Sequence, residues 1–186
     1  RGGGGGELCY QNDIPVTPGA TIAIVVGDLH SQAPGGHHSS FDGTLVAHGG
    51  SDAFGSPAGW TVPGGTGGTV GTCFNGGDGS NNSSSGGAAG YAGIGGHARA
   101  GVAPQNGAGG GGGGGEFGTP GGGVGLEGIG ANGIAPGGHG SQASAEVVVV
   151  GGGGTTYNNR PQTGQHGGVR VIWGAGRSYP SQAGNL

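Results

Sequence analysis

Glycine recurs at every third position through several stretches of this chain, and this spacing limits its fold more than any other feature. Such runs begin at Gly65, Gly87, Gly112, Gly122 and Gly137, and they break near proline or asparagine. A period of three matches a left-handed extended helix with three residues per turn and no internal hydrogen bonds. Its N–H and C=O groups must pair with neighbouring segments. The spacing therefore predicts a packed bundle of polyglycine-II helices.

The composition supports a fold that rests on backbone contacts. Glycine supplies 58 of 186 residues, against a usual share of about 7%, so a broad core of large apolar side chains is excluded. A net charge of −4 and clear β-type runs argue against a disordered linker. Collagen would need an unbroken register and abundant proline, and only 10 prolines are present. Glycine costs about 1 kcal/mol per helical position, so we expect no α-helix.

Short β-branched segments lie towards both ends of the chain. They are residues 14–17, 21–26, 40–48, 145–150 and 169–173. The pair Asp42-Gly43 is typical of a hairpin turn. In the last segment, Val169, Val171 and Trp173 share one face, and we expect Trp173 to lie in the core.

These segments predict an all-β, irregular fold in two portions. Residues 1–49 and 144–186 would form a small antiparallel, jelly-roll-like β-sandwich, with the leading glycines as a flexible or extended start. Residues 50–143 would form the polyglycine-II bundle. Exposed strand edges need cover, so we expect a homo-oligomer or docking onto another protein.

Several classes of function are excluded by missing motifs. The acidic chain has five arginines, no lysine and no basic stripe, which argues against nucleic acid as a partner. No window approaches 18 apolar residues, and no signal peptide is visible. The chain starts at Arg1 and has no methionine, which indicates a processed chain or a piece of a longer one. No nucleophile elbow or phosphate-binding loop occurs, so we expect no enzyme and no cofactor.

Histidine and cysteine could still provide a metal site or a cross-link. His37, His38 and His48 lack the fixed spacing of metal ligands, so we expect no bound metal. Cys9 and Cys73 allow one disulfide, but their spacing does not show whether it forms. Two free thiols are an equally good interpretation, because a particle assembled in the cytoplasm favours reduced cysteines.

Aromatic and charged side chains inside the glycine-rich region are the candidates for binding, because aromatics and arginine are favoured anchors at interfaces. Trp60, Phe74, Tyr91 and Phe117 all lie there. The candidates near the boundaries of glycine runs are Tyr91, His97, Arg99, Phe117 and His139. The alternative is that such rings cap the bundle or fill its few gaps.

Three segments together resemble the glycine-rich domains of bacteriophage tail-fibre and adhesin-type virion proteins. They are GGGGGELCYQNDIPVTPGATIAIVVG at 2–27, SSFDGTLVAHGG at 39–50, and GGVRVIWGAGRSYPS at 167–181. The last is the most specific, and this chain continues past it with Gln-Ala-Gly-Asn-Leu. The resemblance implies a structural or receptor-binding role on the virion, outside the cell on the released particle. It also implies a polyglycine-II scaffold that displays loops.

The partners implied are other virion proteins and a bacterial surface glycan or outer-membrane protein. Two other functions stay open. Polyglycine-II bundles also occur in an arthropod antifreeze protein, so ice binding is one alternative. A glycine-rich receptor ectodomain is the other, and it would require a formed Cys9–Cys73 bridge and a secretory context.

Overall fold

The computed structural model describes residues 2–28, 37–52, 57, 59–80, 82–116, 118–141, 149–157, 160–162 and 164–181. Within these ranges there is no helix, and eleven short strands pair only in antiparallel fashion. The prediction of an all-β, irregular chain is confirmed to this extent. The sheets have two or three strands each, and the jelly-roll-like sandwich stays a prediction.

The strands pair in five small sheets. They are β1 (Leu8–Tyr10) with β6 (Thr72–Phe74), β2 (Ile24–Val25) with β3 (Ser39–Phe41) and β4 (Leu45–Ala47), β5 (Thr61–Val62) with β7 (Gly79–Ser80), β8 (Val124–Gly125) with β9 (Val149–Val150), and β10 (Thr155–Tyr157) with β11 (Arg160–Gln162). The hairpin prediction is confirmed. Strands β3 and β4 flank a three-residue turn in which Asp42 and Gly43 have φ angles of 52° and 65°.

Outside the strands, several segments of backbone pair laterally with a period of three residues. In segment 2–7 each N–H donates to one of three neighbours in rotation: Gly2 to Ser80, Gly3 to Gly154, Gly4 to Ser51, Gly5 to Gly77, Gly6 to Gly151 and Glu7 to His48. Each partner segment is therefore met again after three residues. This is the lateral pairing that the glycine spacing predicts.

The same rule holds elsewhere in the chain. Gly112 and Gly115 donate to Ala88 and Ser85, while Gly86 and Ala89 donate to Gly3 and Gly6. We call the laterally bonded segments the glycine lattice. Its members are residues 2–7, 48–51, 63–65, 76–80, 85–89, 95–98, 105–108, 111–115, 121–123, 133–138 and 151–154.

Of the flexible and the extended interpretation of the glycine-rich start, the structure shows the extended one for segment 2–7. It lies inside the glycine lattice, bonded to 76–80 and to 151–154, and all its residues except Gly3 are buried. The lattice thus draws on residues that the sequence had placed in the sandwich portion. The division into two portions otherwise stays a prediction.

A small apolar cluster caps one end of the lattice. Its buried members are Leu8, Ala88, Ala89, Tyr91, Val124 and Val150. The cluster forms there because three lattice segments end beside one another. Leu8 follows Glu7, Val150 precedes Gly151, and Tyr91 comes two residues after Ala89, whose N–H donates to the Gly6 carbonyl.

The closing strand was predicted wrongly. Residues 169–173 form no strand. Trp173 is 83% exposed rather than in the core. The side chains of this segment alternate as they do in a strand. A segment that is not part of a sheet, however, has no buried face for its alternate side chains to occupy.

The two cysteines are bonded. Cys9 and Cys73 occupy directly opposed positions of β1 and β6 and form a disulfide. The bridge joins the segment that follows 2–7 to residues 64 positions away in the chain. Of the two interpretations left open by the spacing, the cross-link is the one the structure shows.

Candidate functional site

Chain reversals gather at the end of the lattice opposite the apolar cluster, and we call this region the loop end. Its described members are residues 57, 59–60, 80, 82–85, 99–102, 116, 118–119 and 134–138, together with strands β10 and β11. Backbone hydrogen bonds close the turns, as from Val102 to Arg99 and from Thr119 to Glu116.

Hydrogen bonds between the turns place them at one end. Gly118 donates to Ser83 and Gly115 donates to Ser85, which joins two of the turns. The Ser85 hydroxyl donates to the Gly154 carbonyl at 2.7 Å, next to the start of β10. Because Gly2 donates to Ser80 while Glu7 leads into β1, this end lies away from the apolar cluster.

Exposed apolar side chains stand among polar ones at the loop end. Trp60 is 61% exposed, and Val102 and Ile134 are also exposed. Asn82 and Glu116 lie in neighbouring turns and face solvent. An exposed tryptophan with aliphatic and polar neighbours has the composition of a binding surface.

Asp78 organises the charged residues just behind this surface. Its Oδ2 accepts hydrogen bonds from Arg99 Nη2 at 2.6 Å and Nε at 3.0 Å. Its own N–H donates to His97 Nδ1 at 2.9 Å, so His97 carries its hydrogen on Nε2. Burial lowers the pKa of His97, Asp78 opposes that shift and Arg99 adds to it. His97 is a neutral structural acceptor, and Arg99 is held at the loop end with half of its side chain exposed.

Tyr91 does not belong to a receptor-binding surface. It is 2% exposed, and its hydroxyl donates to the Gly125 carbonyl at 3.1 Å. Its ring stacks on Tyr179 with centroids 5.7 Å apart and contacts Tyr10 at 6.0 Å. A side chain buried to this degree cannot contact a receptor. For Tyr91 the alternative interpretation, that the ring caps the bundle, is the one the structure shows.

The burial of Tyr91 predicts a loss of stability at alkaline pH. Burial raises the pKa of its phenol, and Tyr179 adds to the shift. The stabilisation is therefore complete below the pKa of an unfolded tyrosine, about 10, and is lost as the pH rises above it. Thermal unfolding should show a melting temperature that falls more steeply above about pH 10 in the wild type than in Tyr91→Phe. Equal slopes would contradict this assignment. Below that pH the variant should be less stable by about 1 kcal/mol, from the lost hydrogen bond.

His139 is not brought to the loop end. His139 is exposed, but its Nδ1 accepts a hydrogen bond from Gly123 N–H at 2.9 Å, next to β8 and the apolar cluster. Phe117 lies outside the described residues. Of the sequence candidates that the structure describes, Arg99 and the supporting His97 are the ones that stay assigned to the loop end. Val102 and Ile134 were not among the candidates selected from the sequence. The signal that could have identified them is their place next to glycine or proline in predicted turns.

A cavity of about 330 Å³ is lined by members of the apolar cluster and by residues of the lattice. Tyr10, Phe41, Leu45 and Tyr179 contribute apolar walls, and Glu7 and Gln165 contribute polar atoms. Asp28 and His37, which also line it, border residues 29–36 outside the described ranges.

Metal-ligating side chains come together at one place in the described ranges. Glu7, Cys9 and Cys73 have ligand atoms within 4.8 Å of one another, but both sulfurs are in the disulfide. The rings of His38 and His48 are 6.4 Å apart.

The described chain also contains no helix of the length and hydrophobicity needed to cross a membrane.

No protein-family model, no curated protein and no solved structure matches this chain.

Proposed function

We propose that this chain is a structural and receptor-binding module of a bacteriophage virion, of the tail-fibre or adhesin type. Its scaffold is a polyglycine-II bundle, and the loop end contacts a glycan or protein on the bacterial surface. The role is passive recognition without catalysis, on the released particle outside the cell.

The collection of chain reversals at one end of the lattice carries this proposal. Turns on a backbone held by lateral hydrogen bonds lose little conformational entropy on binding. Loops on a rigid scaffold are also where binding residues concentrate, since they vary without disturbing the fold. The resemblance of residues 2–27, 39–50 and 167–181 to phage proteins supports the virion assignment.

The partners on the particle would be other virion proteins or further copies of this chain. Ile24 and Val25 in β2 are exposed, as is Val26. Apolar side chains on an open strand edge favour cover by another chain.

The loop end can be tested by replacing its tryptophan. Trp60→Ala should weaken the binding of the purified protein to host cells by about 30-fold, the effect of losing an aromatic anchor worth about 2 kcal/mol. Arg99→Ala should have a smaller effect, because Asp78 already holds the guanidinium. Binding is measured by co-sedimentation with cells, and thermal unfolding confirms that each variant is folded.

Trp173→Ala is the matched control, since it also removes an exposed tryptophan but lies away from the loop end. It should leave cell binding within about twofold of the wild type, as for a residue outside the energetic centre of an interface. Unchanged binding by Trp60→Ala, or an equal loss in both variants, would refute the assignment of the loop end.

One observation favours a second candidate, the glycine-rich ectodomain of a receptor. That function requires a formed bridge between Cys9 and Cys73, and the bridge is present. Disulfides persist in oxidising surroundings, which suit both an ectodomain and the surface of a released particle. Binding to bacterial cells separates the two, because an ectodomain has no reason to recognise them.

A further inference from the structure

A buried carboxylate lies beside the disulfide. The side chain of Glu7 is 1% exposed. Its two oxygens accept hydrogen bonds from Gly68 N–H, at 2.9 and 3.1 Å. Its Oε2 also accepts from His48 N–H at 3.0 Å and lies 2.9 Å from His48 Nδ1. Four contacts hold the carboxylate in one position.

The same carboxylate is close to both sulfurs. One Glu7 oxygen, Cys9 Sγ and Cys73 Sγ all lie within 4.8 Å of one another. The backbone of Gly68 packs on the bridge, since a Cβ there would be 2.5 Å from Cys9 Sγ and 2.7 Å from Cys73 Sγ. A charge at this distance and depth is poorly screened by solvent and salt.

We propose that the carboxylate of Glu7 slows reduction of the Cys9–Cys73 disulfide by electrostatic repulsion. In thiol–disulfide exchange, a reductant thiolate attacks one sulfur and forms a mixed disulfide, and the other cysteine leaves as a thiolate that takes a proton from water. A second reductant thiolate then attacks the mixed disulfide and releases the remaining cysteine thiolate. The reductant leaves as its own disulfide.

The carboxylate opposes this reaction in two ways. It repels the incoming thiolate, and it disfavours the negative charge on the departing cysteine, which makes that sulfur a poorer leaving group. Neither effect depends on the proposed function. The bridge closes a long loop and joins β1 to β6, so slow reduction would preserve the fold in a reducing medium.

The test compares reductants of different charge at about pH 8, where small thiols are partly ionised. Rates of reduction are measured at low ionic strength with cysteamine, which is cationic, and with 2-mercaptoethanesulfonate, which is anionic. Each rate is divided by the rate for a small neutral disulfide, hydroxyethyl disulfide. We expect the wild-type ratio of cationic to anionic rate to exceed that of the reference by about tenfold, and to persist as salt is added, because a buried charge is screened less than surface charges are.

Glu7→Gln removes the charge and keeps one acceptor oxygen for Gly68. Its cationic-to-anionic ratio should come within about twofold of the reference, with the largest acceleration for the anionic reductant. Glu116→Gln, which removes an exposed charge at the loop end, should behave as the wild type. An equal acceleration of both reductants in Glu7→Gln would show only a structural role and would overturn the proposal.

The wild type alone suffices where Glu7→Gln does not fold. A cationic-to-anionic ratio equal to that of the reference disulfide at low salt would overturn the proposal. A raised ratio that persists when salt is added would support it, whereas one that collapses would indicate surface charges and would overturn it.

Discussion

Gly5→Ala is expected to prevent folding or to destabilise the protein by more than about 4 kcal/mol, the exceptional end of the range for single substitutions. A Cβ on Gly5 would lie 1.9 Å from the Gly87 carbonyl oxygen and 2.3 Å from its carbon. Those atoms are backbone, and Gly77 N–H donates to the same carbonyl. Neither side can move without breaking lattice hydrogen bonds. Urea unfolding followed by circular dichroism measures the loss.

Gly3→Ala is the matched control in the same segment. A Cβ on Gly3 meets nothing closer than the Ser51 carbonyl oxygen at 3.3 Å. Alanine also reduces the conformational freedom of the unfolded chain, which stabilises by about 0.4–1 kcal/mol. Gly3→Ala should therefore stay within about 1 kcal/mol of the wild type. Similar stabilities for the two variants would contradict the close packing of the lattice around Gly5.

Removing the disulfide should have the second-largest effect. Replacing Cys9 and Cys73 by serine frees a loop with a sequence separation of 64 residues. The chain-entropy model then predicts a loss of about 4 kcal/mol, which lowers the melting temperature by roughly 10 °C in a protein of this size. Scanning calorimetry of the double variant against the oxidised wild type measures the difference.

The reduced wild type gives an independent comparison, because it keeps both sulfur atoms and their packing. It should melt close to the double serine variant if the cross-link is the main contribution. An unchanged melting temperature in both would mean that lateral hydrogen bonds alone hold β1 against β6.

Part of the candidate site followed from the sequence. Turn residues around the glycine runs indicated loops, and Arg99 was selected for its place at the boundary of a run. Tyr91 was selected on the same grounds and is buried. The two differ in where their segments lie: Arg99 follows 95–98 towards the loop end, while Tyr91 follows 85–89 towards the apolar cluster. No local pattern distinguishes the two directions.

Trp173 shows the same limit for the β portion. Its alternating neighbours indicate a strand with one buried face, and residues 21–26 and 40–48 carry a similar signal. Strands β2, β3 and β4 pair with one another, whereas residues 169–173 form no strand. A strand needs a neighbour, and its own residues do not specify one.

Glycine spacing predicted the absence of α-helix and lateral backbone pairing with a period of three, and the structure shows both within the residues that it describes. The spacing could not establish which runs are neighbours, because glycine runs are chemically alike and any of them could pair with any other. Long-range contacts made that choice: the disulfide at Cys9, the buried Glu7 and the apolar cluster at one end fix segment 2–7 in the lattice. With that segment fixed, the turns collect at the opposite end.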